Sequence, residues 1–273
     1  MRSLNYLSGL GLAIVLSIGL SGCGSAKLYS VSPNYNESIR SNNDTLLVID
    51  SCVREDNVGD SDDNFILYKS KIANNAEEPA IKKFLELRGF KITQVLRPTM
   101  CGFLKDGKIV AKVQMKKDGK LTLFNPPYII DNSLDENLTK ALQRVSQVSF
   151  LSSLHTTDFN NVFRNYYYVK DDMKLIAEKT GSKKIFVINS LDFDVSAANS
   201  VGKGIGTAVL TLGMFSTWST GALKTYATLI DIEKNEILWR TALVIKYPNL
   251  YDEDWYLKYF NKNFKDLGKT VKD

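Results

Sequence analysis

The sequence predicts an α/β fold: a mixed parallel and antiparallel sheet packed with helices, forming one globular domain after a flexible tether. Three observations predict it. Short continuous apolar runs at Leu46–Ile49 and Lys184–Ile188 have the character of strands covered on both faces. A helix-like segment lies between Leu46–Ile49 and a second run ending at Leu96, as in a strand, helix, strand unit. Two alternating segments flank tight turns, which is the pattern of antiparallel hairpins.

The amino terminus is not part of that domain. Arg2 gives a positive start, Leu4 to Leu20 is apolar and uncharged, and Leu20-Ser21-Gly22-Cys23 ends the run with small residues before a cysteine. The run is shorter than the ~20 apolar residues that span a bilayer comfortably, and no charged stop-transfer segment follows. The stretch resembles the lipobox of bacterial lipoproteins. That resemblance implies removal of residues 1–22, a diacylglyceryl group on the Cys23 thiol, and acylation (palmitate or similar) of the new amino terminus. One acyl chain binds a membrane only marginally, whereas several on one residue hold it stably. Gly24 is not the aspartate associated with inner-membrane retention in enteric bacteria, so the resemblance implies a cell outer membrane location, facing the periplasm.

Removal of 22 of the 273 residues leaves 251, enough for a sizeable core. Apolar content of 44% and charged content of 24% exclude disorder of the whole chain. The net charge of +5 is scattered among acidic residues and forms no dense basic block, so nucleic acid is not an expected partner. Export would place Cys52 and Cys101 where disulfides persist. Each follows an apolar run, and if those runs are neighbouring parallel strands their carboxyl ends lie side by side. A Cys52–Cys101 disulfide is therefore expected, stabilising by about 3 to 4 kcal/mol.

Residues 23–44, rich in Ser, Asn and Tyr, lack an apolar period and are expected to form a lipidated tether able to reach ~70 Å when stretched. The domain is expected to occupy 45–273. After its first strand the chain turns acidic at Glu55, Asp56, Asp60, Asp62 and Asp63. The spacing is not that of an EF-hand, so a solvated loop is expected and no metal. Asn75 and Glu78 suggest a helix start with Pro79 in its first turn, continuing through Ile81, Phe84, Leu85 and Arg88 to Gly89. Ile109 to Leu123 alternates across Asp118-Gly119, a hairpin. Ser133-Leu134-Asp135-Glu136 suggests a capping box before a helix buried through Leu138, Leu142, Val145 and Val148 or Ser149.

Residues 152–169 carry no clear period. Helical spacing returns from Asp171 to Thr180 through Met173, Leu175, Ile176 and Ala177, stopped by Gly181. Leu223–Ile232 and Glu236–Ile245 predict two strands across Glu233-Lys234-Asn235, with Trp239 on the sheet. The last segment suggests a helix capped by Asp252, with Trp255, Tyr256, Phe260, Phe264, Leu267 and Val271 along one face.

Chemistry is sparse. His155 is the sole histidine, there is no Gly-x-Ser-x-Gly elbow and no Cys-x-x-Cys pair, so neither a nucleophilic relay nor a zinc site is expected. Gly202 to Thr207 fits no phosphate-loop spacing, and no cofactor is expected. Asp192 and Asp194 are a carboxylate pair on one strand, a weak basis for hydrolysis. The uncharged segment Ile205–Trp218, with Val209, Leu210, Leu212, Met214 and Phe215, is too short to span as a helix. It is a candidate for core packing, an oligomer contact, or a hairpin in the outer membrane.

Two features carry a wider resemblance: the helix, Gly181 and strand Lys184–Asn189; and Leu229-Ile230-Asp231-Ile232, a turn, then Glu236-Ile237-Leu238-Trp239, with Asn235 where a glycine is usual. They resemble periplasmic lipoproteins and assembly factors that share an α/β domain with the amino-terminal domain of TolB and the curli-export lipoprotein. The resemblance implies a non-enzymatic role in binding or assembly and no catalytic residues. The expectation is an anchored scaffold that meets membrane lipid through Cys23, binds other envelope proteins and self-associates. The alternatives are a subunit of an outer-membrane export assembly and, third, a carboxylate-based envelope hydrolase.

Overall fold

In a computed structural model the described residues are 28–40, 43–56, 64–98, 104–105, 108–109, 112–117, 120–124, 134–153, 160, 169–195, 222–246, 248–264 and 266–268. The strands are β1 (Leu28–Val31), β2 (Asp44–Ile49), β3 (Cys52–Asp56), β4 (Asn64–Ile66), β5 (Lys91–Leu96), β6 (Leu104–Lys105), β7 (Lys108–Ile109), β8 (Lys112–Lys117), β9 (Lys120–Phe124), β10 (Lys184–Val195), β11 (Ala222–Asp231) and β12 (Glu236–Lys246). The helices are α1 (Tyr35–Arg40), α2 (Leu67–Leu87), α3 (Glu136–Ser153), α4 (Val169–Thr180) and α5 (Glu253–Asn263).

The sheet is mixed and open, as its sequence predicts. Its order is β1-β12-β11-β10-β3-β4-β8-β9, with β2 also beside β10 and β5 beyond β2. β2 runs parallel to both β10 and β5, so the predicted strand, helix, strand unit is present, with β3 and β4 inserted before its helix. β10, β11, β12 and β1 are successively antiparallel. β8 and β9 form the predicted hairpin, with Lys117 opposite Lys120.

Alternation within the apolar runs divides the core into two layers. Leu47, Ile49, Phe186 and Ile188 face a cluster under α2 and α5 that includes Phe84, Trp239, Phe260 and Phe264. Leu46, Val48, Ile185 and Val187 face a second cluster under α3 and α4 with Leu142, Val145, Met173 and Ile176. A run buried on both faces has no polar side to present, which is why it appears continuous in sequence.

Several boundaries differ from expectation. α2 starts at Leu67, so Pro79 lies inside the helix and Asn75-Glu78 is not its cap. Proline leaves the Asn75 carbonyl without its usual i+4 donor; one residue earlier, Arg97 donates to the Asn74 carbonyl at 2.9 Å and pairs with the Glu78 carboxylate, bracing this turn. Asp135 caps α3, accepting from the Asn137 and Leu138 amides at 2.9 and 3.0 Å, and Ser133 lies outside the described residues. A carboxylate that takes two backbone N–H groups is held below its ordinary pKa by them. α5 ends at Asn263, so Phe264 and Leu267 join the core from the turn beyond it, and Tyr259 joins them. Val271 lies outside the described residues.

Candidate functional site

The amino-terminal segment expected to be a tether is instead built into the domain from Leu28. β1 is antiparallel to β12, from Leu28 opposite Ala242 to Val31 opposite Trp239. Tyr29 meets the Trp239 ring edge-on at 6.3 Å. Ser32 donates from its amide to the Leu238 carbonyl and from its hydroxyl to the Glu236 carboxylate, which also accepts from Asn34 at 3.0 Å. Ser38 donates to Asp231 at 2.7 Å, and Lys234 reaches Glu37 at 3.3 Å. Tyr35 is 1% exposed and inserts into the core, where its hydroxyl accepts the Gly268 amide at 2.6 Å. Burial pushes that hydroxyl's pKa up to about 12.

The two carboxylates of the β11–β12 hairpin quoted for the family resemblance, Asp231 and Glu236, are thus the acceptors that receive this segment. Asp231 also accepts the Lys234 amide at 3.0 Å, which closes the turn, and Asn235 adopts a φ of 49° there. Asparagine is among the few residues other than glycine that enter this region at modest cost. On the opposite face of β12, buried Arg240 donates to the Ser152 carbonyl at 2.5 Å and to Ser30 Oγ at 3.3 Å, tying β1 to the last turn of α3. Burial lowers its pKa to about 10, so the guanidinium stays charged at neutral pH.

A second polar centre lies where β2 gives way to β3. Both strands keep one register against β10, Ile49 opposite Ile188 and Cys52 opposite Leu191, so they are a single line interrupted at Asp50-Ser51. Side chains replace the ladder at the break. Ser190 donates its amide to Ser51 Oγ at 3.1 Å, Asn74 donates to the Ser51 carbonyl at 3.1 Å, and the Val53 amide reaches Ser70 Oγ at 2.8 Å. Ser190 Oγ donates to Glu77 at 2.5 Å. Glu77 is 1% exposed, and desolvation raises its pKa against the smaller opposing effects of the serine hydroxyls and Arg97. Tyr256 lies beside Glu77 and Asp192 and is itself held well above its ordinary pKa, first by burial.

Ser51, Cys52, Asn74, Ser190, Asp192 and Tyr256 help line a cavity here of about 180 Å³, counted with the space at its mouth. Even with that open space included it is too small for a small-molecule substrate. Asp192 is 5% exposed, so its carboxylate lies within this packed region.

Of the other residues singled out in the sequence, Cys52 is buried. Cys23, Cys101, His155, Gly202–Thr207, the loop aspartates at 60, 62 and 63, and the segment Ile205, Val209, Leu210, Leu212, Met214, Phe215, Trp218 lie outside the described residues. No group of three or more metal-ligating side chains occurs among the described residues. No helix among them is long and apolar enough to cross a membrane. Sequence reasoning missed the Ser32, Asn34, Tyr35 and Ser38 contacts. The available signal was Tyr29-x-Val31, a short alternation that pairs with the sheet.

Comparison with known proteins adds little. No family model matches the chain, and no curated protein matches it. Among solved structures, a PelC dodecamer from Paraburkholderia phytofirmans aligns over 87% of this chain and 96% of its own at 7% identity, with a TM-score of 0.29, a likeness too slight to carry fold or function.

Proposed function

We propose that the chain is a bacterial lipoprotein whose α/β domain acts, without catalysis, as a binding and assembly factor on the periplasmic face of the outer membrane. The observation that supports this most is the position of β1. It begins five residues beyond Cys23 and is fixed to β12, so a lipid on Cys23 would hold the whole domain close to the bilayer. The fully extended link from Cys23 to Leu28 is about 17 Å, a stand-off and not the ~70 Å leash expected from composition.

The same reading pairs Cys52 with Cys101 in a disulfide. Cys23 is then taken up by lipid, and the pairing of β2 with β5 sets Val48 opposite Leu96, a few residues before each cysteine. The aromatic face of the terminal helix is not available as a contact surface, because its Tyr256, Tyr259 and Phe260 are buried against the sheet and α2.

Crosslinking in intact cells tests the proposal. With the wild-type chain, envelope proteins or further copies of the chain should be captured in the membrane fraction. Cys23→Ala should move the chain to the soluble fraction. A wild-type chain recovered in the soluble fraction would contradict the anchoring. Envelope turnover lost in Asp192→Asn with membrane association intact would favour the hydrolase.

A subunit of an export assembly is the second reading. Residues 196–221 join Val195 at the end of β10 to Ala222 at the start of β11 in sequence, and the uncharged stretch Ile205–Trp218 belongs to them. An uncharged connection between neighbouring strands suits a membrane hairpin or a ring contact. Ring-shaped particles or ion conductance from the purified chain would favour it.

A further inference from the structure

We propose that the end of the sheet where β10 finishes, β11 begins and β12 closes is the surface that rests on the lipid headgroups, with the β11–β12 turn pointing away from them. This rests on the lipidation of Cys23 and adds an orientation to it.

The register supplies the argument. Leu28 stands opposite Ala242, four residues from the Lys246 end of β12 and six from its Glu236 end. At about 3.3 Å per residue these are ~13 and ~20 Å, and the turn lies further still. The chain upstream of Leu28 enters β1 antiparallel to β12, hence from the Lys246 side. Its five residues span about 17 Å at most, enough to pass the near end of the sheet and too little to double back to the turn.

Both ends carry charge: Lys183 pairs with Glu233 and Lys234 with Glu37 at the turn end, and Asp252, Glu253 and Asp254 open α5 at the other. What sets the second end apart is Tyr251, 52% exposed beside Leu250, which lines the cavity together with Leu223 and Asp192. An exposed tyrosine has the apolar body and polar tip suited to the headgroup level.

The test uses the full lipidated protein in vesicles of phosphatidylethanolamine and phosphatidylglycerol that carry a headgroup-depth quencher. A fluorophore is placed at Tyr251→Cys, or at Asn249→Cys should the first variant not fold, and separately at Glu233→Cys. The account expects roughly fivefold stronger quenching at 251 or 249 than at 233, given ~30 Å between the ends of the hairpin. Equal quenching, or stronger quenching at 233, on protein that stays with the vesicles overturns the orientation alone. Wild-type protein that does not stay with the vesicles overturns the anchoring and the orientation together.

Discussion

Glu77 is held by two kinds of force that oppose each other. Burial favours its neutral form, while Ser190 and the more distant Arg97 favour the carboxylate, and burial is the larger effect. The folded state therefore keeps its proton to higher pH than the unfolded chain does. Its contribution to stability is fully present below the ordinary glutamate pKa and is lost as pH rises through the folded value. Glu77→Gln keeps the shape and accepts the Ser190 hydroxyl in the same place. Urea midpoints measured from pH 4 to pH 8 should show the variant gaining on the wild type as pH rises. Parallel pH profiles for the two proteins would mean that Glu77 is ionised in the folded state as readily as in the unfolded chain.

At the scale of elements, the amino-terminal segment makes the clearest demand. Tyr35 is the only aromatic side chain of α1, and it fills the core beneath β12 and closes on Gly268. Tyr35→Ala should cost about 3 to 5 kcal/mol by urea unfolding, as for a buried aromatic truncated to alanine, and the amides of β1 should exchange faster. A loss under 1 kcal/mol would show that the segment is only loosely docked. For α5, Asp252 accepts the Asp254 and Trp255 amides at 2.9 and 3.3 Å. Asp252→Ala should lower stability by about 1 kcal/mol, with a reduced unfolding midpoint as the readout.

These elements also explain what was legible in the sequence. β2, β10, β11, β12 and α4 were visible because each carries a run of buried apolar residues, and Gly181 or the tight turn after Asp231 marks several of their ends. The first half of α2 was not, because apart from the small Ala73 the side chains it buries are Ser70, Asn74 and Glu77, which bond across the break at Asp50-Ser51. β1 and α1 were hidden for the same reason: Ser32, Asn34 and Ser38 resemble linker residues until Glu236 and Asp231 are placed opposite them. Hydrophobic period finds surfaces buried by apolar contact, and is blind to surfaces buried by hydrogen bonds.

For the whole molecule, the two core layers, the interrupted strand line and the clamped amino terminus tie the described residues into one packed unit, and the proposed anchor on Cys23 precedes it by five residues. The proposed Cys52–Cys101 disulfide would fasten the centre of the sheet to the chain beyond β5. Cys101→Ser should lower stability by about 3 to 4 kcal/mol under oxidising conditions and abolish the effect of reductant on unfolding. A variant as stable as the wild type would refute the pairing.

The central claim is that a lipid at Cys23 holds this body against the envelope membrane. Its most direct test is the mass of the amino-terminal peptide of the mature chain isolated from cells. The account predicts a chain that starts at Cys23 and carries a diacylglyceryl group and an amide-linked acyl chain. A mature chain with an unmodified Cys23, or one that retains the residues before it, would contradict it.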